Sequence, residues 1–336
     1  MKISQYIRTR RFGFALTAGI GIAALIGATG VAVISSQPAG KMHGGKDMSA
    51  MMAKIQDMAP AIGYLKAHRT EQKPFGLLGG PIQVNISQHQ GGVFVALPDL
   101  RHLDPYAFGT PNMPRSFGGT PGITGVPPMA RKVEDGHYTN LAMPSPFGDK
   151  FVVMGSANLD LSMTDATATD AAKTQDAVQL SASWKDMEGN TYSVRCNKVI
   201  PAGLESPTFG GVVTNHLMHG FTRIGTPLMP TEFAYAAFWG MGTVSKNGTV
   251  LDGPRLVHGM LTEYVRTTGY KLASDDQVTP SRRQFHLMVA PFMPNKETMH
   301  FDPKPVKTGL KLPNGMELPF WHVMFENLEI ESSRSN

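Results

Sequence analysis

From about residue 75 onward the chain is a succession of short β-rich runs cut by turn residues, and no stretch there holds a helical period for long. The first half carries Ile82–Ile86, Val93–Leu97, Phe151–Met154, Ala157–Met163, Ala177–Trp184 and Tyr192–Val199. The second half carries Phe233–Val244, Thr249–Leu251, Leu256–Val265, Phe285–Ala290, Leu310–Leu312 and Pro319–Glu329. Lys185–Asn190, Lys246-Asn247-Gly248 and Asn314-Gly315 read as turns between them. Strands that follow one another through turns, with no long helices between, pair antiparallel and bury one face against another sheet or against themselves. The pattern therefore predicts an all-β fold, an antiparallel sandwich or barrel. Composition agrees: 36 Gly and 25 Pro, with only 17% charged residues, exclude a coiled coil, a long helical bundle and a polar disordered chain.

Two regions interrupt this pattern. Residues 98–148 hold nine prolines and sustain neither period. A connection that long inside a compact domain reads as a lid, a binding loop or a surface excursion. A weaker break near 200–208 divides the β-region, 75–332, into two possible lobes.

Ahead of the β-region, Phe12 to Ile34 is 23 residues without a charge, preceded by Arg8, Arg10 and Arg11. That order predicts a signal peptide or a transmembrane anchor within residues 1–40, which places the remainder in the periplasm or outside the cell. Residues 41–74 read as a linker followed by a short amphipathic helix, with Met48, Met51, Met52, Ile55 and Met58 on one face. Cys196 is the single cysteine, so an exported domain folds without internal disulfides, and a small buried hydrophobe is the reading for that residue. The net charge of +5 is scattered rather than gathered into a stripe, which excludes nucleic acid as a partner. The N-terminal segment instead implies the membrane, and a membrane protein beside it.

The motif with chemical content is His-x-Met. It occurs at His216/Met218, His258/Met260, His286/Met288 and His322/Met324, with His219 following the first. Random placement of 11 His and 21 Met in 336 residues gives about 0.7 such pairs, so four are an excess. The last three pairs lie in predicted strands, where residues two apart share a face. If those strands are neighbours, imidazole and thioether donors form one layer, a soft donor set that suits copper better than zinc. The competing reading is a methionine-rich core with buried histidines, since the opposite faces of these strands are apolar as well. A blue-copper centre is excluded, because no His or Met follows Cys196 within ten residues. His-Glu-x-x-His, Cys-x-x-Cys, Gly-x-Ser-x-Gly and phosphate-binding loops are absent. Two further functions stay open. One is a small-molecule-binding barrel or enzyme in which His258 forms an acid–base pair with His286 or His322. The other is a non-catalytic accessory subunit of a membrane assembly.

Overall fold

The computed structural model describes residues 81–115, 126, 128–140, 145–166, 175–200, 211–222, 224–295 and 300–334. The apolar segment 12–34 and the Met-rich helix lie outside the described residues. Among the described residues no helix is long and apolar enough to cross a membrane.

The strands in chain order begin with β1 (Ile82–Gln88) and β2 (Val93–Ala96). The short β3 (Gly109–Thr110), β4 (Met113–Pro114), β5 (Arg131–Glu134) and β6 (His137–Asn140) follow in the proline-rich connection. The long strands come next: β7 (Phe151–Asp165), β8 (Ala177–Lys185), β9 (Thr191–Val199), β10 (Val212–Met218), β11 (Glu232–Lys246) and β12 (Thr249–Tyr264). The chain ends with β13 (Thr279–Val289), β14 (Phe292–Asn295), β15 (His300–Pro303), β16 (Trp321–Phe325) and β17 (Glu329–Arg334).

Pairing reduces the principal strands to eight staves. β1 and β2 keep one register along β7: Ile82 faces Asp165, Gln88 faces Leu159, Val93 faces Met154 and Ala96 faces Phe151. They form one stave with a local break at 89–92. In the same way β9 and β10 lie end to end along β11, and Trp239 bridges the gap by accepting from Ile200 N and donating to Gly211 O. β16 and β17 pair with β2 and β1 respectively. Each stave pairs antiparallel with the next one in sequence, and the last closes on the first. The result is a closed, antiparallel, eight-stranded up-and-down barrel with additional short ladders. Of the two architectures that the pattern allowed, the barrel is the one formed. Closure leaves both sides of the interrupted stave at 200–211 within one ladder.

Alternation along the strands fills the barrel. In β8, Val178, Leu180, Ala182 and Trp184 point inward while the residues between them face solvent. Trp184 and Tyr192 reach across to Trp321, with ring centroids 4.9 and 5.2 Å apart. Cys196 is part of this interior, and burial pushes its thiol up to about 11. The β11–β12 hairpin turns on Asn247 (φ 51°) and Gly248 (φ 80°), the two positive φ values that a tight hairpin needs.

One side of the barrel is covered on its outer face as well. All five residues of β16 are buried, and the C-terminal ten residues of β12 are also buried. Their cover is a second core of Leu103, Ala107, Phe108, Val126, Phe147, Leu228, Met229, Val265, Leu272 and Val278, against which Met288 packs. The described parts of the proline-rich connection are therefore a cap on the barrel wall. Its ends are tied together by Asp99, whose Oδ2 accepts from Asp149 N and Lys150 N at 3.1 Å each. Arg101 joins the cap segments by donating to Leu228 O and to Ala273 O.

The density of the barrel interior has a direct test at Gly259. A Cβ there meets Phe238 Cε1 at 2.4 Å and Phe285 Cζ at 2.7 Å, both ring atoms of packed core residues. Gly259→Ala is expected to lower stability by about 1–3 kcal/mol through overpacking, read as a lower denaturant midpoint at unchanged slope.

Candidate metal centre on the barrel wall

The period-two expectation for the last three His-x-Met pairs can be followed residue by residue. Val257 and Leu261, Phe285 and Leu287, and Trp321 and Val323 point into the barrel. His258, Met260, His286, Met288, His322 and Met324 lie on the opposite, cap-facing side. β12, β13 and β16 are adjacent, and their registers place His258 opposite Met288, Met260 opposite His286, His286 opposite Met324, and Met288 opposite His322. Histidine and methionine thus alternate in a checkerboard across three strands.

A buried cavity of about 30 Å³ lies over this surface. That is room for one water or one ion and too little for an organic substrate. Its walls include His219, Glu232, His258, Met260, His286, Met288 and His322, with Phe147, Thr226, Met229 and Phe292 from the covering segments. Met324 packs instead with Phe94 and Tyr270. Met218 is buried in a separate cluster beside Met260, and half-buried His216 sits opposite Ala234 on β10, away from the cavity wall. The fourth motif contributes through His219, which follows β10 with φ 63°.

The hydrogen bonds settle which ring nitrogens carry protons. His322 Nδ1 donates to Pro146 O at 2.8 Å, which leaves its Nε2 to accept from His286 Nδ1 at 3.1 Å. His286 Nε2 then accepts from the Gln284 amide at 2.7 Å. His258 Nδ1 donates to Phe238 O at 2.7 Å, and its ring stacks on Trp239 at 4.7 Å. The lone pair on His258 Nε2 is buried and has no partner. His219 Nδ1 accepts from Thr226 N at 3.0 Å, so its Nε2–H lies 3.2 Å from Met260 Sδ and 3.9 Å from Glu232 Oε1.

The cavity is electrically neutral. Burial lowers His219 to about 3, with His258 beside it adding to the shift. Burial also lowers His258 and His322 to about 4. It drives His286 well below the ordinary histidine value, and the neighbouring His322 reinforces this. Glu232 is 0% exposed and neither of its oxygens has a hydrogen-bond partner. Burial raises its pKa well above the ordinary carboxyl range against the opposing influence of Thr262, and Glu263 raises it further. Burial thus favours its neutral form, and its Oε2 lies 3.8 Å from His286 Nε2.

Among the described residues no three His, Cys, Asp or Glu side chains are grouped closely enough to hold a metal by themselves. An ion here would draw on methionine sulfur. Sequence reasoning did not identify Glu232, the acidic first residue of β11, and only its burial marks it out. Nor did it separate His219 from His216, which differ by the loop that follows β10.

The four depressed histidine pKa values fix the sign of a pH effect. The unfolded chain protonates these rings below about 6.5 while the folded chain does not, so the unfolded state binds more protons in that window. Stability contributed at neutral pH is therefore lost as pH falls from about 6.5 toward the folded values near 4 and 3. The melting temperature should fall steadily over that interval, and replacing His322 by Gln should make the decline shallower.

No family model, curated protein or solved structure matches the chain, so the function is argued from this geometry alone.

Proposed function

We propose that the protein is an exported copper-binding protein, with copper held in the capped cavity by His258 Nε2 and Met260 Sδ and with Met229, Met288 and His219 around it. The observation that carries this reading is the unpartnered, buried lone pair of His258 Nε2 facing a cavity walled by methionines. An orphaned acceptor in a dry site has a cost of about 1–3 kcal/mol, which a ligand at that nitrogen removes. Neutral imidazole and thioether donors in an uncharged pocket suit copper(I), a soft monovalent ion. A divalent ion in the same place keeps its full charge in a low-dielectric site without an anionic ligand, which is far more costly. Zinc, which favours thiolate, imidazole and carboxylate, is poorly served.

The hydrogen-bonded pair His286–His322 favours a second reading, an acid–base enzyme. Two features weigh against it: the small cavity, and ring pKa values far below neutrality. Binding without catalysis is the simpler function. In this reading the basic-then-apolar N-terminal segment exports or anchors the domain, and the Met-rich 41–74 region offers copper a transient ligand set or docks to a membrane protein.

Purified full-length protein should take up one copper(I) per chain in competition with a colorimetric chelator. The His258→Ala, Met260→Leu double variant should bind at least tenfold more weakly, about 1.4 kcal/mol. Equal uptake by wild type and variant, or no uptake by either, overturns the proposal. Export has its own check. A C-terminal reporter that works only in the cytoplasm should be silent, and an active one contradicts the placement outside.

A further inference from the structure

We propose that a buried carboxyl pair, Asp104 with Asp275, is a proton-operated latch that holds the cap over the histidine–methionine cavity and loosens as pH rises. As regulation of copper access this rests on the function proposed above. As a property of the cap it stands without any metal.

Three covering segments meet at the pair. Asp104 follows the strand-like residues 101–103 and caps the short helix α1 (Pro105–Phe108), accepting from Tyr106 N through Oδ1 at 2.8 Å. Its Oδ2 accepts from the backbone N–H of Asp275 at 2.7 Å, in the connection between β12 and β13. Asp275 Oδ1 in turn accepts from Thr231 N at 2.6 Å. Thr231 ends the segment that supplies His219, Thr226 and Met229 to the cavity, and its hydroxyl also accepts from Phe221 N at 3.2 Å. Asp104 is 1% and Asp275 8% exposed, and Asp275 Oδ2 is buried without a hydrogen-bond partner. Two carboxyl groups this close and this dry cannot both ionise without strong repulsion.

The charged and titratable groups around the pair determine the direction of the effect. Arg101 faces both carboxyls with one positive charge, and its guanidinium is committed to Leu228 O and Ala273 O. Asp276 and the Tyr106 hydroxyl lie on the solvent side, and Glu232 lies on the cavity side. With Asp275 protonated, the pair presents one negative charge fewer to Arg101. Losing that proton adds a second negative charge, and the further cation beside Arg101, Arg266, is offset there by Asp149. Burial, followed by the neighbouring Asp104, raises Asp275 to about 7, so the change falls in the physiological range. The folded state binds the extra proton between the ordinary carboxyl value and about 7, so closure weakens as pH rises through that value and is flat above it.

The test is hydrogen exchange on the full chain without metal, from about pH 5.5 to about pH 8.5, expressed as protection factors to remove the intrinsic pH dependence. Protonation of His219 and its neighbours on opening acts in the opposite direction below about 6.5, so the readout is wild type relative to Asp275→Asn: amides of residues 219–231 and 265–278 should lose at least tenfold protection in wild type relative to the variant across that range, while those of β8 and β9 show no difference. Asp275→Asn keeps the acceptor for Thr231 N and places an amide donor beside Asp104, mimicking the protonated acid. It should lack the loss of protection with rising pH that wild type shows. If it does not fold, Asp104→Asn is the equivalent variant. The same pH dependence in wild type and in the folded variant overturns the latch. Copper(I) dissociation, measured in parallel, separates the two proposals. A pH dependence that the variant lacks, without copper uptake, keeps the latch and removes the copper reading; copper uptake with no difference between wild type and variant does the reverse.

Discussion

The last stave closes on the first, and the rest of the molecule follows from that contact. Once β16 and β17 bond to β2 and β1, the barrel has a fixed interior, and close packing requires that the inward side chains fill it. Trp184, Tyr192, Phe285, Trp321 and Phe325 do so. Polar chemistry is thereby displaced to the outside of the wall. A barrel wall facing water cannot keep imidazoles dry, so the connections around β12, β13 and β16 fold back as a cap. The chain builds its site between two apolar cores, a filled barrel below and the cap cluster above.

Local periodicity carried much of this in the sequence. The alternation of β8 and β9, the Asn247-Gly248 turn and the shared face of each His-x-Met pair depend only on residues near one another. What local pattern cannot express is register. That His258 faces Met288 and His322 faces Met288 from the other side depends on residues distant along the chain. Runs read as separate also merge: 151–154 with 157–163 into β7, and 249–251 with 256–265 into β12, because long-range pairing carries the backbone through residues of weak strand preference. The acidic residues were the least legible. Nothing in the sequence around Glu232, Asp104 or Asp275 signals that each is buried, since burial there is imposed by segments remote in sequence.

The site also shows how a pocket can be polar in composition and neutral in charge. Four imidazoles and a carboxylic acid are present, yet the low dielectric favours the uncharged form of every one. Hydrogen bonds then select the tautomers, so the ring nitrogen left free on His258 is determined by Phe238 O on the far side of the same ring. The chemistry on offer is that of lone pairs rather than of ions.

The sheet itself has one more role. The chain's single thiol lies on the inner surface of the barrel in β9, while the imidazoles and thioethers of the checkerboard lie on the outer surface of β12, β13 and β16. A thiolate is a stronger ligand for soft metals than either of those groups, and in the presence of a redox-active ion it is readily oxidised. One layer of backbone therefore works as an insulating partition. The outer surface has no direct path to sulfur chemistry on the inner one, and Cys196 stays buried as a free thiol.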